Sequence, residues 1–272
     1  MTGAEQAADP DSPRSTWSKV APIAEPALTV LLFVAVFELC AVAHVAGKDV
    51  LPTVPNIASA FWTDVTHAEI WNATWITVRS WVIGMAIVTA IAIPAGFLMA
   101  SSRVAYHGSH LTVEILRTVP SIAALPFLVL VYGIGTKLTV VLVVLAALWP
   151  LLLQTMAGAR DVDPIALDTG RSYGLGRIRQ FRQIVLPSAL PYVATGVRIS
   201  ATIGLLLAIG TSLYAGGQGL GNEITVAQSE FKTPLLFARV FFSGLLGLMV
   251  YYVLISVERR LLAWHPSHRI AQ

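Results

Sequence analysis

LTVVLVVLAALWPLLLQTMAG, residues 138–158, runs for 21 residues without a charge. About 20 such residues wound as a helix cross the hydrocarbon core of a bilayer, and a buried strand needs far fewer. Similar runs stand at SWVIGMAIVTAIAIPAGFLMA (80–100), TVPSIAALPFLVLVYGIGT (118–136) and VFFSGLLGLMVYYVLISV (240–257). Another extends from Ile199 to Gly216, and PALTVLLFVAVFELCAVAHVA (26–46) is interrupted only by Glu38 and His44. The expected spans are 26–46, 78–100, 112–134, 138–158, 190–215 and 235–257. Composition agrees: 56% of residues are hydrophobic and 12% charged, against roughly 45–50% and 25% in soluble domains. The mean hydropathy is +0.71. The runs do not alternate over ten-residue segments, which disfavours a barrel, and helices satisfy their own backbone groups in lipid. The expected fold class is an all-α integral membrane protein of about six transmembrane helices.

Lys and Arg set the orientation. With a cytoplasmic N-terminus the inner segments carry 11 of them and the outer segments 3, namely Lys48, Lys137 and Lys232. Both termini are therefore expected in the cytoplasm. Residues 1–20, polar and rich in Pro and Ser, read as a disordered tail rather than a cleaved signal, 21–264 as the membrane domain and 265–272 as a second tail. Cys40 is the single cysteine, so no intrachain disulfide or cysteine-based metal site is expected. The positive-inside bias accounts for a pI near 9.2 without nucleic acid.

Signatures of chemistry are missing. The sequence has no G-x-x-x-x-G-K-[ST], H-E-x-x-H or G-x-S-x-G. His107 and His110 read as part of a solvated loop, and GGQGLG (216–221) as a helix terminator or hinge on the outer side. No catalytic residue, metal site or cofactor is expected on this chain.

The polar interruption DTGRSYGLGRIRQFRQIVLPSALP (168–191) lies on the inner side, within a connection spanning 159–189. Leu175, Ile178, Phe181 and Val185 recur at three- and four-residue spacing, with Arg177, Arg179, Arg182 and Gln183 largely off that face. Asp163-Pro164 reads as the cap and first position of another short helix. Gly174 and Gly176 allow a bend, and Pro187 and Pro191 are expected to end the amphipathic helix before the fifth span. Such a helix lies either on the membrane surface or against a protein.

The order of residues bears on that choice. Ile165-Ala-Leu-Asp-Thr-Gly-Arg-Ser-Tyr-Gly174, followed by Ile184-Val-Leu-Pro187, resembles the EAA loop of permease subunits of bacterial ABC importers. Asp168 stands at the Glu position, Thr169 and Gly170 at the two Ala positions, and Gly174 at the Gly. Phe37-Glu38, Leu51-Pro-Thr-Val-Pro-Asn-Ile57, Glu114-Ile-Leu-Arg117-Thr-Val-Pro120, Leu125-Pro126, Gly219-Leu-Gly221 and Glu258-Arg-Arg-Leu-Leu262 are similar to further motifs of the sulfonate, taurine, nitrate and thiamine-precursor branch.

The resemblance implies the type I importer permease fold in a bacterial plasma membrane. It also implies two permease subunits, expected to be two copies of this chain, two ABC ATPase subunits carrying ATP and Mg beneath them, and an extracytoplasmic solute-binding protein. The 159–189 loop would be the coupling element. Leu175, Ile178 and Phe181 would supply an apolar ridge, Asp168, Arg171 and Arg177 registering contacts, Gly174 the turn, and Gly170 and Pro187 the rest of the motif. Pathway candidates are Thr202, Thr211, Ser212 and Tyr214, with Glu38 open between a substrate contact and an interhelical hydrogen bond. Structural pairing or snorkelling near the inner surface is the better reading of Arg117 and Arg198, and Glu114 and Arg117 are spaced to pair on one helix face. Sulfonate-type permeases usually carry Glu where this chain has Ser212, which leaves the substrate open among sulfonates or taurine, nitrate, thiamine precursors and aromatic acids. The alternative is a secondary transporter or channel, but no motif recurs in a second half.

Overall fold

Pro120 divides the third expected span. It has no N–H and turns Val119 away from helical geometry, so Arg103–Arg117 (α4) stops there. A 3₁₀ turn at Ser121–Ala124 then leads into Leu125–Tyr132 (α5), and the two halves meet at 70°. The computed structural model describes residues 17–45, 47 and 50–262; the expected tail 265–272 and most of 1–20 lie outside them. The described residues are helical, with no strand among them.

The chain forms two units, residues 1–58 and 59–272. In the first, Trp17–Val42 (α1) precedes the start of Val54–Thr66 (α2). Its apolar stretch Leu28–Val42 is shorter than a span. The Glu38 carboxylate accepts the Val54 N–H at 2.6 Å. It supplies negative charge where the first N–H groups of α2 lack partners.

In the second unit four stretches are long and apolar enough to cross a membrane. They are Ala68–Ala100 (α3), Thr136–Arg160 (α6), Arg177–Ser229, and Thr233–Leu261 (α11), with the bent α4–α5 pair as a fifth if counted as one span. His107 and His110 lie within α4, not in a loop. Between α6 and the third stretch sits Pro164–Ser172 (α7). The third stretch contains Arg177–Gln180 (α8), a π-helical turn Phe181–Val185, Leu186–Ala215 (α9) and Leu220–Ser229 (α10).

Pro187 and Pro191 do not end a helix as expected: α8, the π-turn and α9 are continuous through both. The π-turn widens the ring just before Pro187, with Leu186 N–H reaching back to the Phe181 carbonyl. This relieves the clash a proline ring makes with the preceding turn.

The core is a three-layer contact in which α6 lies between α3 and α9. Val88 and Ala92 of α3, Leu142, Val143, Ala147 and Leu151 of α6, and Ala201 and Ala208 of α9 are buried. Small residues set the spacing, as expected where lipid offers no hydrophobic drive for helix association. A Cβ at Gly84 would sit 2.5 Å from Val143, and one at Gly158 2.6 Å from Tyr192. Trp81 Nε1 donates across to the Ala201 carbonyl at 2.9 Å. Along α11 only Ala238, Arg239, Leu246 and Val250 are buried, so this helix is peripheral.

An ion cluster pins α11 near its N-terminal end. Arg239, 5% exposed, donates from Nε and Nη2 to both oxygens of Asp64 on α2, at 3.2 and 3.1 Å. Its Nη1 reaches the Glu223 carbonyl of α10 at 2.7 Å and the Glu223 carboxylate at 3.1 Å. Removing one partner leaves a buried charge uncompensated, which costs about 3–5 kcal/mol. Arg239→Leu should therefore lower thermal stability in detergent by that order, and pairing it with Asp64→Leu should recover part of the loss.

Candidate functional site

The 159–189 connection folds into a tight corner. The Asp163 carboxylate accepts the Ile165 N–H at 2.8 Å, and Pro164 occupies the first turn of α7, as the sequence indicates. The exit is a Schellman motif. Gly174 N–H reaches the Arg171 carbonyl at 2.9 Å and Leu175 N–H the Gly170 carbonyl at 3.0 Å. Gly174 takes φ +72°, the left-handed region that favours glycine. A Cβ there would meet nothing within 4 Å, so backbone conformation and not space selects the residue.

Gly170 is different: it is buried, and a Cβ would sit 2.8 Å from Ile184 Cδ1. Gln180 closes the corner by donating from Nε2 to the Leu167 carbonyl at 2.7 Å. Tyr192 of α9 donates its hydroxyl to Asp161 at the end of α6, holding the corner to the helices above.

The expected ridge is only partly presented outward. Ile178 is 78% exposed, whereas Leu175 is half-buried and Phe181 sets its ring edge-to-face on Phe97 of α3, centroids 5.1 Å apart. Ile165 and Tyr173, not singled out from sequence, are exposed on the same connection. Asp168 and Arg171 pair at 2.8 Å and are both exposed, as is Arg177. Pro187 is half-buried beyond the π-turn.

A cavity of about 720 Å³ opens between α4, the Pro120 break, α6 and α9. Tyr106, His110, Glu114, Arg117 and Gln154 give it polar groups, and Trp149, Ile199, Ile203 and Leu207 apolar walls. Glu114 and Arg117 pair at 3.5 Å within α4, as their spacing indicates, and both remain about half exposed. Arg198, also read as a structural pair, meets Glu258 of α11 at 3.4 Å.

Thr202, Thr211, Ser212, Tyr214 and Glu38 do not line this cavity. Thr211 is buried and donates to the Leu207 carbonyl. Ser212 is buried and accepts the Gly221 N–H at 3.1 Å. Gly221 packs so tightly against Ile209 and Leu213 backbone that no side chain fits there. Thr202 and Tyr214 are exposed on α9 and fall with Leu206 and Gly210 on one unpacked stripe at four-residue spacing.

Sequence reasoning missed Gln154 and Gln180, whose amides carry no periodic signal. It also missed Asp64 and Arg239. An arginine so near the start of an apolar run was the available sign.

The chain belongs to the family of binding-protein-dependent transport system inner membrane components, whose pattern matches residues 92–264. It is 28% identical over 241 residues to the putative aliphatic sulfonates transport permease protein SsuC of Escherichia coli K12, covering 88% of this chain and 91% of that one. It is 29% identical over 173 residues to the taurine transport system permease protein TauC of the same organism, covering 64% and 63%. In fold it is similar to a chain of the inward-facing MetNI methionine ABC transporter, with TM-score 0.61 and 18% identity, covering 68% of this chain and 93% of that one. The protein is thus a multi-pass membrane permease of the type I importer fold.

Because Gly170 is selected by space, Gly170→Val should drive Ile184 aside and loosen the corner. Gly176→Ala, with nothing within 4 Å of the new Cβ, should not. Amide hydrogen exchange over residues 164–185 in detergent should rise at least about tenfold for the first variant and stay at wild type for the second.

Proposed function

We propose that two copies of this chain form the pathway of an ATP-driven importer for a small organic anion or related heterocycle, and that the 159–189 corner seats on an ATPase subunit. ATP and Mg belong to that subunit, and an extracytoplasmic binding protein delivers the solute. The observation that carries the docking role is the corner itself. A Schellman turn, the Gln180 bond and the Gly170 contact hold a polar, arginine-rich surface rigidly, with Ile178 projecting from it. A helix lying on lipid would bury its apolar residues there and would need no such bracing. Rigid presentation suits a groove in a partner, since little ordering entropy remains to be lost on docking.

The unpacked α9 stripe of Thr202, Leu206, Gly210 and Tyr214 is the surface for the second copy, with the pathway beside it. The neighbouring cavity offers both signs of charge through Glu114 and Arg117, together with a Gln154 amide, in a volume suited to a small organic solute. Sulfonates and taurine head the candidate solutes because two relatives carry those names. Nitrate, thiamine precursors and aromatic acids are the further classes. Ser212 has a structural duty to Gly221, so a Glu at that position is not a requirement for the loop to form here.

Closing of the ATPase dimer on ATP would draw the two corners together and rock the helices attached to them as rigid bodies. Gly174→Asp tests the docking step cleanly, because Asp tolerates the left-handed region and its side chain would enter open space. A detergent pull-down from native membranes should bring an ATPase subunit with the wild-type chain and lose it with Gly174→Asp, at equal amounts in the membrane. Equal ATPase recovery with both would overturn the docking role, and recovery with neither would return the corner to the membrane surface.

A further inference from the structure

Two charges of opposite sign share the cavity between α4, α6 and α9. Glu114 is its one carboxylate and Arg117 its one guanidinium, and no lysine lines it. Arg160 stacks on the Tyr106 ring at 4.5 Å and is not part of the lining. A solute entering this space therefore meets a balanced pair and not a field of one sign.

The pair is loosely made. Its single contact, at 3.5 Å, joins two half-exposed side chains one turn apart. In the buried cluster, by contrast, Arg239 grips both oxygens of Asp64. Exposed ion pairs gain little from each other, so a ligand can part Glu114 from Arg117 at small cost.

Two further groups of the lining have capacity to spare. Gln154 interrupts the apolar run of α6, and its amide makes no hydrogen bond among the described residues. The half-buried Trp149 likewise has no acceptor for its indole N–H among them. Polar groups in a membrane helix are costly when left unbonded, which marks both as reserved for something that enters. An amide offers a donor and an acceptor together, and an indole offers a donor edge and a face that attracts cations.

These groups discriminate between kinds of solute. A bare anion drawn to Arg117 would bring its charge against Glu114, and a bare cation drawn to Glu114 would meet Arg117. A molecule carrying both charges sets each end on its opposite, so that four charges alternate in sign. The short separation of the pair calls for ends joined by a short aliphatic spacer, since a long one would carry one end past its partner.

We propose that the solute of this cavity is a small zwitterion, with an ammonium and a sulfonate or carboxylate on a short aliphatic spacer, and not a bare anion. Arg117 and the Gln154 amide hold the acid group, and Glu114 holds the ammonium with the Trp149 ring beside it. This rests on the importer reading above and narrows its solute class.

Saturation-transfer NMR on the full-length chain, purified in detergent with the subunits that stay bound, measures the contact directly. The probes are taurine and 1-propanesulfonate, in which a methyl group replaces the ammonium, and β-alanine with butanoate as its counterpart. Each zwitterion should receive at least about fivefold more transfer than its counterpart, the scale on which one exposed charge contact discriminates. Glu114→Gln should erase that preference, and Arg117→Gln should lower transfer to all probes. The exchange Glu114→Arg with Arg117→Glu retains both charges and should keep the preference, which separates loss of a partner from loss of fold. Preference with taurine alone, or with β-alanine alone, assigns the acid group as sulfonate or carboxylate. Equal transfer to a zwitterion and its counterpart in both pairs, transfer to no probe, or a preference that survives Glu114→Gln overturns the proposal. A chain that recovers its ATPase subunit but binds 1-propanesulfonate as well as taurine, and butanoate as well as β-alanine, keeps the importer reading and loses the zwitterion. One that shows the preference and recovers no ATPase subunit keeps the zwitterion site and loses the importer reading.

Discussion

The close approach of α6 to α3 and α9 is the constraint on which the rest depends. In lipid, burying leucine against leucine gains little over leaving it among acyl chains, so helices associate where backbones come close enough for dispersion and cross-helix hydrogen bonds. Gly84 and Gly158 create that closeness, and Trp81 ties α3 directly to α9 with a bond to the Ala201 carbonyl. Once α6 is gripped on both sides, its C-terminal end fixes Asp161, Tyr192 is held through that carboxylate, and the corner at Gly174 takes its place relative to the helices. The start of α10 depends on the same frame through Thr77 of α3, whose hydroxyl accepts the Leu220 N–H at 2.9 Å.

Much of this was legible in the residues. Apolar run length identified the helices of residues 68–100, 136–160 and 233–261, because lipid imposes a length and an exclusion of charge that periodicity alone would not supply. Asp163-Pro164 announced a helix start, and Gly174 announced the turn, since each acts through its own backbone. Effects that need a second element were not legible. Nothing local distinguishes Gly170, chosen by the approach of Ile184, from Gly176, which faces open space. Proline rules likewise misplaced the end of the arginine-rich helix, because a π-turn upstream altered the geometry those rules assume.

The small polar residues of α9 show the same dependence on packing. Small polar side chains in an apolar helix suggest a water-filled face, yet Thr211 and Ser212 turn their hydroxyls to carbonyls and to the glycine loop. A hydroxyl in a membrane helix can satisfy itself on its own preceding turn, so polarity alone does not tell a lining residue from a self-contained one. Thr202 and Tyr214 differ from them by exposure, which only packing reveals.

The π-turn has a mechanical consequence. By carrying the helix through Pro187 it joins the polar corner to the C-terminal end of α9 in one rod. From Arg177 to Ala215 that rod measures about 58 Å at 1.5 Å per residue. A tilt of about 5° applied at the corner would therefore displace its far end by about 5 Å, close to one helical turn. The length of one helix thus turns a small change of angle at one end into a wide displacement at the other.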